Sequence, residues 1–260
     1  VEKTLEFSDL LRLIDERSTA FRAAVAAAPD LDAQVPTCPE WTLFDLVQHL
    51  GEGRRAWAAT VAAGPDAVAK AECEDAPPAP GERQAMLDWL AASTQELLDA
   101  LREAGPDRGC WTWWGASQSP RTCGAVARHQ LQQIAVHTYD AQLTVGAPQP
   151  LPDEVALDGI EEFLFTCNAT PSPWPHKPTT IDYHATEGRS WRLTVDGDGA
   201  RSTRIPAPTA RGALEAAGLS VSGKAGELVL ALYDRIGLES LEVSGDREIF
   251  DQLIAWEPEE

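Results

Sequence analysis

VPTCPEWTLFDLVQHL, residues Val35–Leu50, changes character at its midpoint. Its first half carries Pro36 and Pro39, each of which removes a backbone donor and fixes φ, so no helix runs through it. From Thr42 onward the spacing is helical. Thr42 and Asp45 stand in a T-x-x-D arrangement, in which each side chain can bond the other's backbone N–H and so start a helix. Leu43, Leu46, Val47 and Leu50 then recur at the spacing of one helical face. His49 falls beside Leu46 and Leu50 and is expected on the apolar side of that helix.

The same period appears on both sides of this stretch. Leu10, Leu11, Ile14, Phe21 and Val25 predict a first helix, with Ser8 as its N-cap. A third helix is predicted over about Glu82–Glu103, with Met86, Leu87, Leu90, Leu97, Leu98 and Leu101 inward. A fourth is predicted over about Thr122–Val145. Four helices joined by loops predict a bundle. GAPQPLP (Gly146–Pro152) marks the domain boundary, giving a bundle over 1–148 and a second domain over 149–260. After a short helix around Glu154–Phe165 the period shortens. TTIDYHA, SWRLTVDG, GLSVSG and SLEVSG read as strands separated by Gly/Asp turns. AGELVLALYDRI and REIFDQLIAW read as amphipathic helices, so the second half is α+β.

The chain of 260 residues is 43% hydrophobic, enough for one large core or two modest ones. Its formal net charge of -20 repels phosphate backbones and anionic lipid, which argues against nucleic-acid and membrane-surface partners. No apolar run approaches the roughly twenty residues that span a bilayer. VEKTLEFSDLLRL lacks a basic-then-apolar leader layout, and the expected location is cytoplasmic. Five cysteines, Cys38, Cys73, Cys110, Cys123 and Cys167, are odd in number and contain no C-x-x-C pair, against a disulfide framework or a zinc–thiolate site.

The chemistry concentrates in HQLQQIAVHTYDA, His129–Ala141, inside the fourth helix. Gln133 and His137 are at i and i+4 and share a face, and His129 is two turns before His137 on the same side. With His49 on the second helix, they form a set of the kind that bundles project inward to hold a metal. Three ligands with one open position is the arrangement of a catalytic zinc; taken as bare residues, the same histidines also suit a hydrogen-bonded core or surface.

VPTCPEWTLFDLVQHLGEGRRAWA resembles the mycothiol-dependent maleylpyruvate isomerase family, whose members read V-P-x-C-P-x-W-x-x-x-D-L-x-x-H-L. Val35, Pro36, Cys38, Pro39, Trp41, Asp45, Leu46, His49 and Leu50 all match. VHTYDA is similar to the family's V-H-x-x-D-A, and GELVLALYDRIGLESLEVSGDREIFDQL resembles its second domain, related to sterol-carrier-like α/β folds. The resemblance implies a DinB-like four-helix bundle. It also implies a divalent metal, usually zinc, held by a histidine on helix two and a Glu-x-x-x-His on helix four, with mycothiol as the thiol cosubstrate. Carried over, His49 and His137 match two ligands. The glutamate position falls on Gln133, a neutral and poorer donor, with His129 as the alternative third ligand. Asp140 is expected to accept an imidazole N–H from a ligand histidine.

The expected function is a zinc- and mycothiol-dependent enzyme, an isomerase or thiol transferase acting on a small electrophile. The alternative is a non-catalytic small-molecule binding or regulatory protein whose metal site is weakened by Gln133. Arg235 is read either as a binder of anionic substrate or as a surface arginine. Cys38 is read either as a thiol activated near a helix start or as packing. Trp41, Trp111, Trp113 and Trp114 are core or pocket walls. No G-x-S-x-G elbow and no Gly-rich phosphate loop appears.

Overall fold

The structure is a computed structural model that describes residues 4–67, 69, 78–207 and 217–257. It divides into two compact units. The first comprises Val1–Trp113 and Pro120–Leu151, and the second Trp114–Ser119 and Pro152–Glu260.

The first unit is helical: α1 (Phe7–Ala27), α2 (Leu43–Ala63), α3 (Arg83–Ala104) and α4 (Cys123–Thr144). A short hairpin, β1 (Gln34–Val35) and β2 (Cys38–Thr42), precedes α2. The capping box at Thr42 forms as the spacing requires, and the bonds from Thr42 hold the Asp45 carboxyl below its ordinary pKa. Helix α1 begins one residue before Ser8, with Glu6 at the N-cap and no side-chain cap. Ser8 therefore lies inside the first turn. On α3 it is Trp89, not Leu87, that joins the core; Leu87 is half-buried at the stripe's edge.

Helices α1 and α4 pack along one another, as do α2 and α3. The second pair is close because Gly51 lacks a side chain: a Cβ there would meet Cζ3 of Trp89 at 1.9 Å. The indole has little room to yield, since the Arg55 guanidinium lies over it at 4.5 Å and the residue is buried. Gly51→Ala is therefore expected to destabilise the bundle by about 1–3 kcal/mol despite alanine's better helix propensity. Denaturant midpoints of the two proteins check this; an unchanged or raised midpoint would contradict the close-approach argument.

Helix α4 is buried around much of its circumference, and its buried residues include His129, Gln130, Gln132, His137, Thr138 and Asp140. Polar groups inside a bundle need partners. That density of them on one central helix marks where the unit departs from plain packing.

The second unit is a five-stranded sheet with helices. It contains α5 (Asp153–Phe163), β3 (Thr179–Ala185), β4 (Ser190–Asp196), β5 (Gly199–Ile205), β6 (Leu219–Gly223), α6 (Ala225–Leu232), β7 (Glu242–Gly245) and α7 (Glu248–Ala255). Strand order is β5-β4-β3-β6-β7; β3 and β6 are parallel and the other pairs antiparallel. Ile181, Tyr183, Trp191, Leu193, Val195, Leu219 and Val221 fill one face, as period-two alternation requires. Glu161 of α5 accepts from the Trp191 indole at 3.1 Å and from the Arg204 guanidinium, which fixes α5 to β4 and β5. Beyond α5 the helix widens into a π-turn over Leu164–Asn168.

Strand β5 carries little sequence signal, since GARSTRI is too polar to read as a strand. Its existence rests on a full register against β4. Its outer edge is covered by Gln118, whose amide accepts from Ser202 N at 2.6 Å and donates to Ser202 O at 3.1 Å. A side-chain amide thus imitates a neighbouring strand at an exposed edge.

Candidate metal and thiol site

In the first unit, β2, α2 and α4 bring Trp41, His49, His137 and Asp140 together. The His49 and His137 rings have centroids 5.4 Å apart, edge to face. Trp41 of β2 lies 4.7 Å from the His49 ring and 6.4 Å from that of His137. His137 is buried. His49 is exposed, which corrects its expected place on the apolar side of α2. The core face of α2 runs through Leu46, Val47, Leu50, Arg54 and Trp57, and His49 stands beside that stripe, with Trp41 packed against it.

Asp140 is fully buried. Its Oδ2 lies 2.9 Å from His137 Nδ1, and its Oδ1 accepts the Thr37 hydroxyl at 2.7 Å. A carboxylate accepting from Nδ1–H sets the tautomer and leaves the Nε2 lone pair for another partner. The i, i+3 spacing on one helix made this contact legible. Thr37 was missed, because nothing local links it to a residue 103 positions away.

The donor set can be tested for a divalent ion. Two imidazoles sharing one tetrahedral zinc have ring centroids about 5 Å apart, given zinc–nitrogen bonds of about 2 Å. The observed 5.4 Å fits, and so does the carboxylate behind His137. The third donor that helix register offers is the amide of Gln133, half-buried one turn before His137. Among the described residues no group of three His, Cys, Asp or Glu side chains is placed to hold a metal. By distance the two imidazoles fit a shared ion, while Gln133 is offered as a third donor by helix register alone.

His129 does not join them. Eight residues of helix separate it from His137, about 12 Å along the axis. Its buried ring instead packs against Trp57 at 6.4 Å and Trp113 at 5.7 Å. Trp57 in turn lies 6.2 Å from Trp111. Two tryptophans thus flank His129 with a third behind Trp57, and Trp113 is 51% exposed. Trp114 is buried and belongs to the second unit.

The cysteines offer no evident nucleophile among the described residues. Burial pushes the Cys110 thiol up to about 12, and the thiols of Cys123 and Cys167 also rise through burial; protonated, buried thiols are inert. Cys38 lies at the start of β2 and is half-buried, separated from the first turn of α2 by the rest of that strand. Cys73 lies outside the described residues.

Arg235 is in the second unit, past the end of α6 and not on a helix as AGELVLALYDRI implies. The chain turns at Asp234, whose φ is 58°. There Arg235 N donates to Leu230 O and its Nη1 to Tyr233 O, both at 2.7 Å. No helix of the described residues is long and apolar enough to cross a membrane.

Comparison with known proteins agrees with this architecture. Two solved structures described as mycothiol-dependent maleylpyruvate isomerase, one of them a histidine-to-alanine mutant, share the fold. The mutant structure has a TM-score of 0.60 and the other 0.56. Each is 13% identical, and each comparison covers 92% of this chain and 93% of the other. No curated protein matches the chain in sequence. The family model for the mycothiol maleylpyruvate isomerase N-terminal domain matches residues 11–142, and the model for the corresponding C-terminal domain matches residues 154–252. The chain belongs to the mycothiol maleylpyruvate isomerase family.

Proposed function

We propose that the protein is a mycothiol-dependent enzyme, an isomerase or a closely related thiol transferase, acting on a small electrophilic substrate. In this reading a divalent ion, zinc by choice of donors, is held by His49, His137 and Gln133. The observation that carries it is the buried Asp140 carboxylate on Nδ1 of His137, next to a second imidazole at 5.4 Å. A buried carboxylate on Nδ1 orients the ring and leaves its Nε2 lone pair available, the arrangement common to metal-ligating histidines.

A divalent ion at this site supplies Lewis acidity that favours the thiolate of a bound thiol. The chain's own residues do the rest. Asp140 holds His137 in one tautomer. Trp41 fixes the His49 ring and covers one side of it. Trp57, Trp111 and Trp113 offer an aromatic wall two helical turns away for the remainder of a ligand. Arg235, in the second unit, is proposed in its own right as a binder of an anionic group.

A second reading has one observation in its favour: among the described residues no third His, Cys, Asp or Glu completes the set. It is a small-molecule binding or regulatory protein on the same scaffold. Elemental analysis of protein purified without chelator separates the two. About one zinc per chain supports the enzyme, whereas less than about a tenth, even after zinc is added, supports the binding protein.

A further inference from the structure

We infer that Thr37 is a positioning residue that holds the Asp140 carboxylate in place for His137, so that the β1–β2 hairpin fixes both site histidines. Two separate contacts carry this. Trp41 of β2 packs on His49 at 4.7 Å. At the hairpin's turn, the Thr37 hydroxyl donates to Asp140 Oδ1 at 2.7 Å while the other oxygen faces His137 Nδ1 at 2.9 Å. The hairpin is itself held from both sides. Val35 is buried and pairs with Cys38. The Gln34 amide donates to Pro39 O, and Leu43 N donates to Ala33 O. Pro36, with its fixed φ, precedes Thr37 in the turn.

The geometry explains why a hydroxyl is needed at that turn. A carboxylate with one oxygen on the imidazole can still rotate about its Cβ–Cγ bond. A donor on the second oxygen, as Thr37 supplies, restricts that rotation and bonds a buried carboxylate oxygen. The imidazole then stays in one tautomer with Nε2 directed away from Asp140. The role is positional, because Thr37 reaches the site only through Asp140.

The test compares Thr37→Val with Thr37→Ser in the full chain. The first readout needs no metal: long-range proton–nitrogen NMR of the metal-free protein, which shows which nitrogen of His137 carries the proton. Wild type and Thr37→Ser are expected to show Nδ1–H alone, and Thr37→Val a mixture of tautomers. The second readout is zinc affinity by competitive titration. It rests on the function proposed above, and Thr37→Val is expected to lose about tenfold, with Thr37→Ser close to wild type. Should the valine variant fail to fold, Thr37→Ala carries the same expectation. A single tautomer in Thr37→Val overturns the inference. So does a serine variant that behaves like valine, since the methyl and not the hydroxyl would then matter. If wild type binds no zinc, the functional reading fails while the tautomer readout still decides the role of Thr37.

Discussion

Replacing Gln133 with glutamate is expected to tighten zinc binding by about tenfold or more, and replacing His49 with alanine to remove most of it. The two changes bracket the site. Glutamate has nearly the shape of glutamine but puts an anionic oxygen at the proposed third donor, one turn before His137. The same substitution removes one unit of net positive charge at the ion, so a bound thiol is acidified less. Affinity and thiol activation should therefore move in opposite directions. His49 is exposed though packed on Trp41, so its loss should cost about 1 kcal/mol of folding stability or less while deleting one of the two proposed imidazole donors. Competitive zinc titration, followed by thiol titration at saturating metal, measures both. If Gln133→Glu leaves affinity unchanged, the amide is not the third donor. If His49→Ala lowers stability sharply with no effect on metal, His49 belongs to packing.

Local signals account for what the sequence made legible. The start of α2 is written in four consecutive residues, because a capping box uses only its own backbone and side chains. The contact between His137 and Asp140 follows from i, i+3 spacing on one helix. What could not be read depends on distant partners. Strand β5 is polar and exists through its pairing with β4, and the β1–β2 hairpin is too short and too proline-rich to show a period of two. His129 and His137 share a side of α4 by register, yet register says nothing of the tryptophans that occupy the space around His129. The exposure of His49 was likewise hidden, since a residue beside an apolar stripe and one within it differ by a single step of about 100° around the helix.

Arg54 is the residue whose replacement should separate charge from volume most clearly. It is buried in the bundle, and its guanidinium donates to Thr94 Oγ1 at 2.6 Å and Ser18 Oγ at 3.0 Å. Those partners are neutral hydroxyls, and no described carboxylate bonds to it. Burial is the main force that lowers its pKa, to about 9, with the charge of Arg22 adding to it. A base whose folded pKa lies below its unfolded one destabilises the fold. That penalty is fully present below the folded value and relaxes only as pH rises through it, so it is carried in full at neutral pH. The hydroxyls do not depend on Arg54. Ser18 already donates to Ile14 O at 2.6 Å and Thr94 to Leu90 O at 2.9 Å, so removing the guanidinium orphans neither. Arg54→Met keeps most of the side-chain volume and deletes the charge, and is expected to stabilise the bundle by about 1–3 kcal/mol. Arg54→Ala deletes both and leaves a cavity, with an expected loss of about 2–4 kcal/mol. Urea unfolding of the three proteins, followed by tryptophan fluorescence and circular dichroism together because two units unfold, measures the order. If the methionine variant is the less stable by more than about 1 kcal/mol, the two hydroxyl bonds outweigh the cost of burying the charge, and Arg54 is a net contributor to the core.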